Sequence, residues 1–348
     1  MANVANPSPM MQKKTPQDRL FYLDALRGTA IFFIVWLHAS AYTHHEVTLP
    51  VARIFLKLID PGLAFFFLAD GFLLARHVSR QQGFLYADYL RKSAWRLLLP
   101  WLVFTLLYGL LRAVLESVGF FATHLLIGYS FTDILIILFN SSVAMQMYFL
   151  MSLFLIRTLY PLTRFLAIKG CVSALLATIV YILVLKLSSF QLGSDPITGA
   201  IAGFQYYLLG ILYFHLDGSF RRHAPIIAAV CLLGYGIMAA MELKGLLPVS
   251  ARVVAKLTGM TANYAIYLLL AQRMGLLVKL GQHTMVIYLL HPVLAFAFTL
   301  TAGRIVTDPL ALHLVVTVSS IIGSLAIGWL VFRIPKGRII FGENTARA

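Results

Sequence analysis

Apolar runs closed by basic or polar clusters recur from residue 25 to residue 333. Ten of them have the roughly 17 to 25 residues that a helix needs to cross a bilayer. They are 25–43, 59–77, 95–116, 146–166, 170–187, 197–216, 224–242, 253–271, 283–303 and 310–333. The stretch TDILIILFN at 132–140 is too short to span, and predicts a helix lying at the interface or re-entering the membrane. No internal repeat and no low-complexity segment is visible. The periodicity therefore predicts an all-α, polytopic integral membrane protein of about ten transmembrane helices. One membrane domain, 21–335, lies between polar tails at 1–20 and 336–348.

Composition sharpens this. Of 348 residues, 60% are hydrophobic and 12% charged, about half the charged share of an average soluble domain. A water-soluble fold of this size could not hide so much apolar surface. The formal charge of +15 would suggest a nucleic-acid partner in a soluble protein. Here the basic residues flank apolar runs, so they mark topology and no nucleic acid is expected. With the N-terminus in the cytoplasm and ten alternating spans, 20 of the 28 Lys and Arg fall on the inner side. Both termini are then cytoplasmic. The first 20 residues carry Lys13, Lys14 and Arg19, with no short apolar core ahead of a cleavage site, so no cleaved signal peptide is expected. Cys171 and Cys231 sit in apolar runs as small core residues, without disulfide or metal roles. His44, His45 and Glu46 are neighbours on one outer segment and converge poorly on an ion, so no metal is expected.

The first span holds the chemistry. Residues 23–38 read LDALRGTAIFFIVWLH, with Arg27 at the mouth of the run and His38 near its far end. Eleven residues is close to three helical turns, so the two side chains share a face. Their separation along the axis is about 16 Å, half a bilayer core. An ionisable group at the depth of His38 faces protein or water rather than lipid, and imidazole exchanges a proton near neutral pH. The plainer reading makes Arg27 a positive-inside anchor and His38 a hydrogen-bonded packing residue.

These residues resemble those of the acyltransferase 3 family of membrane acyltransferases, whose first span carries an arginine, ten residues and a histidine. Four further segments agree, in family order. DPGLAFFFLADGFLLAR is similar to the second-span FF-x-x-SGF-L-L pattern, and YLRKSAWRLLLPW to the basic segment entering the third span. MYFLMSLFL matches the W/Y-F-L stretch of the fourth, and LGQHTMVIYLLHPVL a late motif. The resemblance covers about 20–335. Asp70 stands where the family usually has Ser, and an acid there needs a partner: Arg27, His38 or another inward cation. Thr284 replaces a frequent Ser in the late motif.

The resemblance implies transfer of a short acyl group, acetyl above all, from cytosolic acyl-CoA to a carbohydrate hydroxyl. The acceptor would be a cell-envelope or exported glycan or a glycolipid, and the membrane a cell membrane such as the bacterial inner membrane. His38 would act as general base or form an acyl-histidine. Arg27 would join it in the catalytic pair and, with Arg91, Lys92 and Arg96, would bind the CoA phosphates, which suits guanidinium and ammonium donors. Supporting candidates are Asp24 in the first motif, Asp70, His291 beside Pro292, and Tyr148 as a sugar-stacking aromatic like Tyr42, Tyr129 and Trp101. Ser40 points away from His38 on a helix and is no nucleophile. Arg112 and Glu116, four apart, predict a helix-surface ion pair. Outside this family, the composition also suits a transporter or flippase moving a glycan or lipid-linked precursor without acyl chemistry.

Overall fold

The structure, a computed structural model, describes residues 20–43, 62–80, 85–121, 123–188, 195–248 and 251–343. Lys13, Lys14, Arg19, the His44–Glu46 run, Arg53, Lys57 and Arg347 lie outside the described residues.

Among the described residues the chain is all helix. Its elements are α1 (Phe21–Thr43), α2 (Gly62–Arg80), α3 (Tyr86–Ser117), α4 (Phe131–Phe139), α5 (Tyr148–Thr158), α6 (Tyr160–Lys169) and α7 (Cys171–Leu187). They continue with α8 (Pro196–Leu243), α9 (Ala251–Leu270), α10 (Gly275–Gln282), α11 (Thr284–Ala302), α12 (Pro309–Arg333) and α13 (Gly337–Ile340). Seven are long and apolar enough to cross a membrane, or eight if the bent pair Met145–Thr158 and Tyr160–Lys169 is one span. That pair bends by 65° beside Pro161, where proline removes a helical donor. α7 is apolar but shorter, at 17 residues. α4 has no buried residue and is closed at its start by a capping box between Ser130 and Asp133.

The expected spans at 197–216 and 224–242 are joined in one helical run, α8, which breaks at His223 just before Pro225. The break is sharp. Tyr213 bonds Thr261 of α9 at 2.5 Å, whereas Tyr235 lies against Gly259, two residues away on the same helix. In a straight helix Tyr213 and Tyr235 would stand about 33 Å apart. Both halves of α8 therefore fold onto α9.

α1 is the hub, touching α2, α9, α10, α11 and α12, and is buried along most of its length. Two crossings are made at backbone contact. A Cβ on Gly28 would lie 1.8 Å from the Leu277 carbonyl oxygen, and one on Gly281 would lie 1.8 Å from that of Asp24, so α10 rests directly on α1 beside Arg27. Gly71 and Gly210 do the same between α2 and α8 beside Asp70. Small residues at such crossings let helices approach where lipid offers no hydrophobic drive. Where α1 begins and just ahead of the break in α8, the Asp217 carboxylate accepts from Tyr22 at 3.2 Å, Tyr264 of α9 at 2.7 Å and Arg221 at 2.8 Å.

Candidate active site

Arg27 lies on the face of α1 turned to α2 and α5. The charges acting on it are Asp70, Asp24 one turn back on α1, and Arg157. Asp70 is 7% exposed, and its partner is Arg157 of α5. The guanidinium donates from Nε to Oδ2 at 2.9 Å and from its terminal nitrogen to Oδ1, a forked contact. A further Arg157 nitrogen donates to Ser93 Oγ at 3.4 Å. Of the cations open to Asp70, the structure selects Arg157, with Arg27 and Arg96 acting at longer range. Arg27 Nε is buried and meets no hydrogen-bond partner.

Arg157 was not among the sequence candidates, because it counted as one of the inner-side cations. Its signal was a lone base inside an apolar run, which demands an acid as Asp70 demands a base. The basic segment before the third span divides at a π turn, Ala94–Leu98. Ser93 faces inward to Arg157, while Arg91, Lys92 and Arg96 stay exposed. A π turn shifts the helical register locally, so one segment serves both sides.

Further along α1, His38 is half-buried and its ring centroid lies 5.1 Å from that of His291 on α11. His291 Nδ1 donates to the Ile287 carbonyl at 2.9 Å. Pro292 has no N–H for the Tyr288 carbonyl. The Tyr288 hydroxyl donates to the Gln146 carbonyl, and the Tyr108 hydroxyl to that of Leu289 at 2.8 Å. Tyr148, half-buried beside Gly199, acts electrostatically on Tyr288. Ser40 is turned to the Leu37 carbonyl at 2.7 Å.

The candidates thus fall into two layers on α1: an ionic layer of Asp24, Arg27, Asp70 and Arg157, and an imidazole–phenol layer of His38, His291, Tyr288, Tyr108 and Tyr148. Residues 20–332 match the acyltransferase domain that defines the acyltransferase 3 family. The chain belongs to that family. It is a multi-pass membrane acyltransferase. No curated protein and no solved structure matches the chain.

Outside these layers, the ion pair expected between Arg112 and Glu116 forms, but it is buried rather than on the helix surface. Glu116 is buried, taking Arg112 Nε at 2.6 Å and the backbone N–H groups of Leu125, Leu126 and Ile127 at 2.8, 3.1 and 3.2 Å. Arg112 also caps the Thr123 carbonyl at 2.8 Å and stacks 3.5 Å from the Phe121 ring. The knot orders the connection between α3 and α4.

Proposed function

We propose that this acyltransferase moves a short acyl group, acetyl in the first instance, from cytosolic acyl-CoA to a carbohydrate hydroxyl on a cell-envelope or exported glycan. The observation that carries this reading is the shared face of α1. It sets Arg27, whose buried Nε is unclaimed, about 16 Å along the axis from the half-buried imidazole of His38. Phosphate accepts charge-assisted hydrogen bonds from such a guanidinium, so Arg27 holds the donor's charged part, with Arg91, Lys92 and Arg96 at the rim. The pantetheine arm then reaches toward His38.

His38 is the general base. It takes the proton of the acceptor hydroxyl while the oxygen forms a bond to the thioester carbonyl carbon. The carbon–sulfur bond breaks, and the departing thiolate takes that proton from His38. Tyr148 and its aromatic neighbours form the wall against which the sugar lies. Asp70 acts through Arg157, holding α2 and α5 together beside Arg27.

Inside-out vesicles test the reading. They carry the protein or its His38→Ala variant and receive radiolabelled acetyl-CoA on their outer, formerly cytoplasmic, face. Label is expected to pass from CoA to a glycan fraction with wild type and not with the variant. Full transfer by His38→Ala would remove His38 from the chemistry. Glycan movement without consumption of acetyl-CoA would make the protein a transporter.

A further inference from the structure

His291 is fully enclosed, with 0% exposure. Its Nδ1 is committed to the Ile287 carbonyl at 2.9 Å. A carbonyl only accepts, so Nδ1 carries the hydrogen, and in a neutral ring Nε2 is then an acceptor. Burial keeps the ring neutral unless an acid pairs with it. Among the described residues, the ionisable side chain acting on His291 is His38. Nε2 is buried and has no hydrogen-bond partner. Native interiors rarely leave a buried acceptor unused without a reason.

The facing ring supplies that reason. At a centroid separation of 5.1 Å, facing nitrogens of two imidazoles can reach hydrogen-bonding distance. The Tyr288 ring lies 6.3 Å from that of His291, and Tyr108 and Tyr148 act in turn on Tyr288. The hydroxyls of Tyr108 and Tyr288 are already given to the carbonyls of Leu289 and Gln146. Pro292 leaves the Tyr288 carbonyl without its helical donor, and the His291 ring turns back along its own helix to the Ile287 carbonyl.

We propose that His291 is a positioning residue for His38: its open Nε2 is the acceptor toward which the His38 ring N–H turns to donate in the working enzyme. This rests on His38 being the base. The bond fixes the tautomer that leaves the other His38 nitrogen free for the acceptor hydroxyl. It also holds the imidazolium formed when the proton arrives, the task that an aspartate performs behind the histidine of a serine hydrolase. His291 itself neither gains nor loses a proton.

Two variants separate this role from packing. In His291→Asn the carboxamide nitrogen reaches the Nδ1 position and keeps the Ile287 bond, but nothing stands at Nε2. In His291→Gln the carboxamide oxygen reaches the Nε2 position. In the vesicle assay with acetyl-CoA, the Asn variant is expected to insert normally and lose about 10²-fold or more in kcat, with KM for acetyl-CoA unchanged. The Gln variant is expected to recover most of that loss. Wild-type kcat in the Asn variant, or equal impairment of both, would overturn the proposal. Histidine ¹⁵N spectra of the otherwise native protein give a second reading. Changing His38 to Ala should move the resonance of His291 Nε2, and an unmoved resonance would overturn the bond. Absence of transfer by wild type would instead remove the acyl-transfer reading, and this proposal with it.

Discussion

Asp70 and Arg157 show how a buried charge is held. Each alone would be expensive inside an apolar bundle. Together they form a forked pair with Ser93 completing the guanidinium's contacts. Breaking such a pair leaves an uncompensated charge, whereas replacing both partners by apolar residues removes the demand. Asp70→Asn or Arg157→Leu should therefore cost about 3–5 kcal/mol, read as a lower melting temperature in detergent. The joint Asp70→Leu, Arg157→Met variant should recover most of it. Equal melting of the single variants and the native protein would show that the pair does not hold α2 to α5. Arg27 differs in kind, because its buried Nε keeps an unmet donor, which a ligand anion can satisfy.

Helices position these side chains through their crossings. α10 meets α1 at Gly28 and Gly281 with no room for a methyl group, one residue past Arg27 and at the carbonyl of Asp24. A Cβ there would meet backbone, which cannot rotate away as a side chain can. Gly28→Ala should push α10 off α1, cost about 1–3 kcal/mol, and raise KM for acetyl-CoA as Arg27 shifts. Thermal melting and steady-state kinetics check this, and native values for both would contradict the crossing. In α11, Pro292 releases the Tyr288 carbonyl, while His291 is aimed by its own bond to the Ile287 carbonyl one turn back. The π turn at Ala94–Leu98 follows directly on Ser93, which meets Arg157.

In the molecule as a whole, the two layers stand one above the other along α1. We propose from the charge asymmetry that the ionic layer faces the cytoplasm and the imidazole layer the far side. Donor and acceptor would then arrive from opposite faces. Epitope tags at either terminus should be removed by protease in inside-out vesicles and protected in right-side-out ones. Protection of one tag and loss of the other would reverse half the topology.

The linear order of residues was enough for the all-α membrane class, because apolar runs of bilayer length have no other stable form. It was also enough for the Arg27–His38 axis, since helical geometry sets which residues of one helix share a face. It marked Asp70 as needing a cation and His291 as sitting beside a freed carbonyl. Folding chose Arg157 for Asp70 and His38 for His291, because both pairs join helices far apart in the chain. It also turned the 197–242 stretch into one broken helix bent over α9, and buried Glu116 in a loop knot rather than leaving it on the surface. Periodicity is local, so it reports the face of a helix. Which helices become neighbours depends on backbone approach at glycines and on the satisfaction of buried charge, and these arise only when the bundle closes.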